Sequence, residues 1–287
     1  MNAWLPVGPC RPATCLTPQG PTVGRPLKVL RLAAAVLVLL AGTVLALVAR
    51  GLSTTRRIRL MSAWSRAVLW TLGVRVEVRP GFAFLAGSAA GLRIRPVSTA
   101  APLVVSNHVS WLDPLVMAAV MPCRLLTRSE TLGRPVIGGL AAAAGVLVID
   151  AGRPSTLPEA VAGVAGALGE GEPVAAFPEG TTWCGREMGA FRRAVFQAAL
   201  DAGAPVRPVA LRYLGPGGAT ATEAAYVGDD TLVASVRRVA GIRRLTVEVT
   251  LLPPVQARDR RSLAWAAESS IASVVIAPTA HAARVAA

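Results

Sequence analysis

The sequence has few charged residues and almost no lysine. Charged residues make up 16% of the 287 residues and apolar residues 53%, whereas soluble domains are about 25% charged. A chain this apolar is neither disordered throughout nor collagen-like nor an acidic tail. Thirty basic residues, of which only Lys28 is a lysine, face sixteen acidic ones and give a net charge of +14. This surplus predicts an anionic partner, either nucleic acid or a membrane surface.

Cysteine and histidine are also scarce. The four cysteines form no C-x-x-C pair, and the chain is too long for a small disulfide scaffold. Neither histidine has ligand-type neighbours at metal spacing, and His281 lies in an alanine-rich tail. We therefore expect reduced, structural thiols and no metal site. The cysteines are Cys10, Cys15, Cys123 and Cys184.

No acidic residue occurs between Met1 and Val76, where ten basic residues lie. Residues 1–24 contain five prolines and three glycines without periodicity and predict a disordered leader. The uncharged run from Leu32 to Ala49 predicts a membrane anchor, since its 18 residues reach about 27 Å of a hydrocarbon core of about 30 Å. A cleaved signal peptide is disfavoured by the length and by the missing A-x-A site. Basic residues flank both ends, so a shallow or re-entrant insertion stays open.

An arginine-edged amphipathic helix follows the anchor. Apolar residues recur near 3.6-residue spacing from Ile58 to Leu72, with Arg57, Arg59 and Arg66 interleaved. Such a helix either lies at a lipid interface or faces the core of the domain. Residues 25–72 are thus predicted to form a membrane anchor and an amphipathic helix.

Residues 73–287 are predicted to form an α/β domain. Short β-branched runs alternate with helical stretches, which is typical of a mostly parallel sheet flanked by helices. The predicted strands are Val74–Val78, Leu103–Ser106, Val146–Ile149, Val174–Phe177, Val206–Leu211 and Leu245–Leu252. The predicted helices are Pro114–Met121, Arg134–Ala144, Leu157–Leu168, Phe191–Ala202 and Ser262–Ile276.

One histidine lies where a predicted strand gives way to a helix. The block from Asn107 to Asp113 reads N-H-V-S-W-L-D, and α/β sheets bind ligands at such strand ends. His108 can act as a general base if Asp113 accepts the proton of its other ring nitrogen. Because residues five apart do not share a helix face, the pairing requires an irregular first turn. A histidine that caps a helix or is buried in the core is the alternative.

A second polar loop closes another predicted strand about 70 residues downstream. The block from Phe177 to Thr182 reads F-P-E-G-T-T and offers backbone N–H groups to an anion or oxyanion. Together, N-H-x-x-x-x-D and F-P-E-G-T resemble the signatures of the glycerolipid acyltransferases, the family of 1-acyl-sn-glycerol-3-phosphate acyltransferase. The resemblance covers Trp64 to Leu214, which is the whole predicted α/β core.

The resemblance implies transfer of a fatty acyl group from acyl-CoA or acyl-carrier protein to a free hydroxyl of a lysolipid. It implies no cofactor, no metal and no covalent acyl-enzyme. His108 would deprotonate the acceptor hydroxyl, and Asp113 would orient and charge its imidazole. For Pro208, a proline with a purely structural place in its strand is equally compatible. The residues that the resemblance assigns to substrate binding are Asn107, Glu179, Gly180, Thr181 and Pro208.

Two departures from the family pattern affect phosphate recognition. The family has G-x-I-F-x-D-R where this chain has G-V-L-V-I-D-A-G-R, so the arginine comes two residues late. The third block usually continues with arginine, but here Thr182 and Trp183 follow. Arg153, Arg186 and Arg192 are candidates to supply the missing charge, since guanidinium suits phosphate. Alternatively the acceptor lacks a phosphomonoester, as in a related branch that acylates lyso-ornithine lipid.

Two functions of other classes compete with acyl transfer. A catalytically silent, basic membrane-binding protein is disfavoured by the intact His108, Asp113 and Glu179. Nucleic-acid binding leaves the apolar run unexplained, and we find no helix-turn-helix or aromatic stacking platform. We expect lysophospholipid, an acyl thioester, an anionic membrane surface and acyl-carrier protein as partners, with no nucleic acid. The expected location is the cell membrane, with the catalytic domain on the cytoplasmic side.

Overall fold

The computed structural model describes residues 8–17, 20–49, 51–81, 101–134, 137–150 and 152–276. His281 lies outside the described residues. The helices are α1 (Pro12–Cys15), α2 (Arg25–Ala49), α3 (Thr54–Thr71), α4 (Asp113–Val120), α5 (Ser129–Leu132), α6 (Ile137–Ala144), α7 (Leu157–Gly169), α8 (Ala194–Asp201), α9 (Leu232–Val239) and α10 (Arg260–Val275). The strands are β1 (Val74–Pro80), β2 (Leu103–Ser106), β3 (Arg124–Arg128), β4 (Leu147–Ile149), β5 (Val174–Ala176), β6 (Val206–Leu214) and β7 (Leu245–Leu251).

The seven strands form one sheet in the order β1-β7-β6-β2-β5-β3-β4. β6 and β7 pair antiparallel, whereas the other neighbours are parallel. The predicted mostly parallel α/β fold is therefore confirmed. Because β2 and β5 are parallel neighbours, the two polar loops that follow them leave the same edge of the sheet.

The sheet is covered by apolar packing on both faces. In β2 all four residues are buried, and they alternate between two clusters, with Val104 in one and Leu103 and Val105 in the other. This alternation follows from the two-residue period of a strand. Helices α3 and α4 contribute to the first cluster and α7, α8 and α10 to the second.

Four elements were not predicted from the sequence: α1, β3, α5 and α9. β3 reads R-L-L-T-R, is only half-buried and has arginine at both ends, so it lacks the β-branched run that marks the other strands. α9 is a short helix whose cap is local: the Thr231 side chain accepts a hydrogen bond from the backbone N–H of Ala234.

The described part of the predicted leader packs against the domain. Cys10 is buried in the first apolar cluster, and the N–H of Val23 donates to the carbonyl of Gly241 at 2.9 Å. The structure thus differs from the prediction of a disordered leader over residues 8–17 and 20–24. The prediction relied on the lack of periodicity, which carries no information about contacts made with distant residues.

Helix α2 packs on the domain through small residues. Ala35, Gly42 and Ala49 are its buried positions. Eight large apolar side chains are each more than half exposed: Val29, Leu30, Val36, Leu37, Leu40, Val44, Leu47 and Val48. Its partners are α3 and α6. Among the described residues it is the one helix long and apolar enough to cross a membrane, judged by length and composition.

Both α2 and α3 are fastened at defined points. The guanidinium of Arg31 donates to the carbonyls of Ala240 and Ile242 at 3.1 and 2.9 Å. The indole N–H of Trp64 donates to the carbonyl of Val38 at 2.9 Å. α3 buries Val68 and contacts α4, so its apolar face packs on the core, which was one of the two predicted possibilities.

Gly42 lies where α2 meets the Trp64 ring, and a Cβ there would be 2.5 Å from Trp64 Nε1. We expect Gly42→Ala to destabilise the chain by about 1–3 kcal/mol through overpacking. Thermal unfolding of the detergent-solubilised chain measures this. Gly163→Ala in α7 is the matched control, because a Cβ there meets nothing within 4 Å and alanine favours a helix interior by about 0.5–1 kcal/mol. Equal effects of the two substitutions would contradict the prediction.

Candidate active site

The predicted pair of His108 and Asp113 is present in the structure. His108 Nδ1 lies 2.8 Å from Asp113 Oδ2. The chain reaches this geometry because residues 107–112 are not α-helical and α4 begins only at Asp113. The imidazole is 21% exposed and the carboxylate fully buried. Since Nδ1 faces the carboxylate, Nε2 is the nitrogen left to meet a substrate.

The Asp113 carboxylate is held by three further donors. Oδ2 also accepts the backbone N–H groups of Val109 and Ser110 at 2.6 and 2.8 Å. Oδ1 accepts the hydroxyl of Tyr213, from β6, at 2.5 Å. Burial and the neighbouring Asp113 raise the pKa of the Tyr213 phenol well above its usual value, so the phenol stays a donor. These bonds fix the carboxylate beside the imidazole.

The carboxylate of Glu179 holds the backbone of His108. Oε2 accepts the N–H of His108 at 2.8 Å and Oε1 the N–H of Gly189 at 3.1 Å. Burial raises the pKa of Glu179 to about 8, against the lowering effect of these two bonds. The folded chain therefore holds this proton more tightly than the unfolded chain. The stability that this contributes is present at acidic pH and lost as the pH rises through about 8.

Phe177 and Trp183 complete the support of the histidine. The Phe177 ring stacks on the His108 imidazole with centroids 4.4 Å apart, and the N–H of Trp183 donates to the His108 carbonyl at 2.8 Å. Gly180 has φ of 69°, a conformation that glycine adopts at little cost. The loop after β5 thus holds His108 through its backbone N–H, its carbonyl and its ring.

Three residues assigned to substrate binding have structural contacts instead. Glu179 is 3% exposed, and both its oxygens bind backbone N–H groups. Asn107 is 1% exposed and bonds β6 twice, donating to the Leu211 carbonyl and accepting its N–H. Pro208 is buried within β6, opposite Val105 of β2. A motif gives residue types and their spacing, but it does not show which way a side chain points. Thr181 and Gly180 are partly exposed.

The three candidate arginines lie at different distances from the histidine. The backbone N–H of Arg192 donates to the carbonyl of Pro178 at 2.9 Å, so Arg192 adjoins the loop. Arg186 belongs to the same loop and donates to Thr17 at 3.0 Å. Arg153 follows β4, three strands from β2 and therefore about 14 Å away across the sheet. Its side chain is 77% exposed and pairs with Asp150 at 3.8 Å.

Tyr213 is the functional residue that the sequence analysis missed. It lies in β6 two residues beyond Leu211, on the same face of the strand. When the ring of a tyrosine is buried, its hydroxyl requires a hydrogen-bond partner. The presence of a tyrosine in an otherwise apolar strand was therefore the one signal in the sequence that pointed to Tyr213.

A mostly parallel α/β sheet places a carboxylate-bound histidine at its strand ends, behind a partly exposed polar loop, and this arrangement is suited to general-base chemistry. Comparison with known proteins agrees. The family model described as Acyltransferase matches residues 76–212. A 1-acyl-sn-glycerol-3-phosphate acyltransferase of Neisseria meningitidis serogroup B is 32% identical over 70% of this chain and 81% of its own length. The chain belongs to the acyltransferase family and is an acyltransferase.

Two other relatives are informative. A lyso-ornithine lipid O-acyltransferase of Pseudomonas aeruginosa is 36% identical over 59% of this chain and 66% of its own length. The crystal structure of the 1-acyl-sn-glycerophosphate acyltransferase PlsC from Thermotoga maritima matches with a TM-score of 0.61 at 16% identity, covering 87% of this chain and 93% of that one. That likeness establishes the shared fold.

Replacing Glu179 by glutamine tests whether it positions His108. A glutamine amide has one acceptor oxygen, so one of the two N–H groups loses its partner, at a cost of about 1–3 kcal/mol. We expect Glu179→Gln to lower the unfolding temperature and to reduce kcat about tenfold or more, because the imidazole shifts. Glu187→Gln, exposed in the same loop, is the control. A higher KM for the acceptor with unchanged kcat and stability would instead place Glu179 in the acceptor site.

Proposed function

We propose that this acyltransferase moves a fatty acyl group from a thioester to the free hydroxyl of a lysolipid. The observation that carries the proposal is the His108–Asp113 pair, joined at 2.8 Å and partly open to solvent. His108 Nε2 takes the proton of the acceptor hydroxyl while its oxygen attacks the thioester carbonyl. The carbon–sulfur bond breaks and the thiolate leaves, to be protonated by the imidazolium. The donor is acyl-CoA or acyl-carrier protein, and the transfer itself uses no cofactor.

Lysophosphatidate, 1-acylglycerol-3-phosphate, is the proposed acceptor, and phosphatidic acid the product. This is the substrate named by the N. meningitidis relative. Lyso-ornithine lipid is the second candidate, favoured by the P. aeruginosa relative and by Thr182 in place of the arginine that usually follows F-P-E-G-T. Both acceptors present a hydroxyl for the same chemistry and differ in the charge of the head group.

Arg192 is the proposed partner of an acceptor phosphate. Its backbone bond to Pro178 ties it to the loop that holds His108, and its side chain is exposed. A guanidinium in this place donates paired hydrogen bonds to phosphate oxygens. Arg186 lies on the same loop but reaches towards Thr17, and Arg153 lies towards the far edge of the sheet. The geometry therefore favours Arg192 of the three.

The exposed face of α2 supports association with a membrane. In a water-soluble protein the large apolar side chains of a helix face the core, but α2 buries small residues and exposes leucine and valine. Small residues at the contact and large ones outside are the arrangement of helices that pack in lipid. We propose that this face enters the bilayer.

The contacts of α2 favour a helix that lies along the membrane surface with the domain. Arg31 binds Ala240 and Ile242 near one end, and α6 packs against α2 as well. A second apolar surface lies beside α3, where Trp70, which is 80% exposed, lines a groove of about 520 Å³. Tryptophan prefers the membrane interface. The proposed location is the cytoplasmic face of the cell membrane, because thioester donors are made in the cytoplasm.

An acyl-transfer assay with two acceptors tests the chemistry. Membranes carrying the wild-type chain receive labelled oleoyl-CoA or oleoyl-carrier protein with lysophosphatidate and lyso-ornithine lipid side by side. We expect labelled phosphatidic acid, and we expect His108→Ala to reduce its formation at least about 100-fold, since a general base contributes about 10²–10⁴. Retained activity in His108→Ala would refute the base, and labelling of lyso-ornithine lipid alone would establish the second acceptor.

The same assay checks the phosphate partner. Arg192→Ala should raise the KM for lysophosphatidate about tenfold or more, because a charge-assisted hydrogen bond is worth about 1.5–3 kcal/mol. Arg193→Ala, exposed at the next position, is the matched control. Equal KM values for the two variants would remove Arg192 from the acceptor site.

Polar substitution of the exposed α2 face tests membrane association. The variant carries Leu37→Gln, Leu40→Gln, Val44→Gln and Leu47→Gln. We expect its partitioning onto anionic vesicles to fall at least about 100-fold, since each buried apolar side chain contributes about 1.5–3 kcal/mol. Val233→Gln and Trp265→Gln replace exposed apolar residues elsewhere and should leave partitioning unchanged. A quadruple variant that binds vesicles like the wild type would show that this face does not enter lipid.

A further inference from the structure

The N-terminal segment of residues 8–17 crosses the loop that holds the catalytic histidine. At one end, a Cβ on Gly8 would lie 3.3 Å from the Thr182 carbonyl oxygen. At the other, the Thr17 hydroxyl accepts a hydrogen bond from the Arg186 guanidinium at 3.0 Å. α1, between them, has no buried residue of its own. Within α1, Cys15 is partly buried against the first apolar cluster.

Three cysteines meet midway along this crossing. Cys10 and Cys15 come from the segment and Cys184 from the loop, and their Sγ atoms all lie within 4.8 Å of one another. Cys10 and Cys184 are each 5% exposed, and Cys15 is half-buried. The fourth cysteine, Cys123, is buried at the start of β3 in another part of the domain. Three of four thiols thus converge from positions up to 174 residues apart.

The spacing of the three sulfurs matches a shared metal ion. Zinc–sulfur bonds are about 2.3 Å long, so the sulfurs of a tetrahedral zinc site are about 3.8 Å apart. Shifts of at most about 1 Å bring all three thiols to that separation. A disulfide requires a sulfur–sulfur distance of about 2.05 Å and joins only two of the three. Cys10 and Cys15 also have four residues between them, within the C-x₂₋₄-C spacing of zinc ligands.

We propose that Cys10, Cys15 and Cys184 bind a zinc ion that fastens the N-terminal segment to the active-site loop. Thiolates select soft ions such as Zn²⁺. Cys15 is the least buried of the three ligands. We therefore expect the fourth tetrahedral position to face solvent and a water molecule to be the fourth ligand.

Because Cys184 belongs to the loop that supports His108, a zinc ion bound there would restrain that loop. The neighbouring Trp183 donates to the His108 carbonyl, and Thr182 donates to the Tyr226 carbonyl. A metal at Cys184 therefore restrains the stretch of loop that supports the histidine. Without it, the segment is held by the contact between Arg186 and Thr17 and by apolar packing of Cys10 in the cluster that also contains Cys184.

Zinc titration of the full-length chain tests the proposal. The chain is purified in detergent with reductant, stripped with chelator and titrated with Zn²⁺ against a chromophoric chelator. We expect one Zn²⁺ per chain, and we expect Cys10→Ser, Cys15→Ser and Cys184→Ser each to weaken binding at least about 100-fold, more than the loss of a supporting residue around a metal. Cys123→Ser is the matched control and should bind zinc like the wild type.

A second measurement separates loss of the site from misfolding. Hydrogen exchange of residues 8–17 should slow at least tenfold on adding Zn²⁺ to the wild type and Cys123→Ser, but not to Cys15→Ser, whose partly exposed position tolerates serine. Cobalt(II) in place of zinc should give thiolate charge-transfer absorption in the near ultraviolet. Reduced wild type that takes up no zinc would overturn the proposal, whether its thiols then pack as apolar groups or oxidise to a disulfide. Zinc binding that persists in Cys15→Ser would overturn it as well.

Discussion

A carboxylate without exposed surface is costly unless donors compensate its charge, and Asp113 is compensated by four. The donors come from three directions: the imidazole of His108, two backbone N–H groups of the turn before α4, and the hydroxyl of Tyr213 on β6. Three of these donors belong to consecutive residues of the turn between β2 and α4, and the fourth belongs to β6, so the carboxylate is satisfied only when this turn and β6 are both in place. The His108–Asp113 pair and the centre of the sheet are therefore stabilised together.

The histidine depends on a second buried carboxylate. Glu179 reaches the backbone of His108 rather than its ring, so the two carboxylates have different tasks: Asp113 orients the imidazole and Glu179 fixes the chain that carries it. Burial first, and then the nearby charge of Asp113, raise the pKa of Glu179 to about 8, so Glu179 accepts a proton more readily than an exposed carboxyl and a proton there removes the repulsion between the two groups. The resemblance assigns the F-P-E-G-T loop to head-group binding. In the structure its acidic residue, Glu179, holds the backbone of His108.

The sequence allowed the sheet, most of its strands and the contact between His108 and Asp113 to be predicted, because each leaves a local signal. β2 was predicted with its observed bounds, and N-H-x-x-x-x-D together with F-P-E-G-T indicated the histidine and its loop. β3 and α9 lack such a signal, and the bond of Tyr213 to Asp113 spans 100 residues. The thiol cluster was missed for the same reason: C-x₄-C is visible, but Cys184 joins it only through the fold.

Helix α2, which buries small residues and exposes large apolar ones, links this fold to the proposed chemistry. Leucine side chains that are exposed to water gain no free energy from burial. Contact with lipid would bury them, so the apolar face of α2 favours a position at a lipid surface. Its small buried face lets α3 approach closely, and α3 in turn packs on α4, the helix that begins with Asp113. The helix that would contact the membrane is thus connected to Asp113, and through it to His108, by the α2–α3 and α3–α4 interfaces. An acceptor held in the bilayer would then meet His108 by diffusion along a surface, which reduces the translational freedom lost on binding.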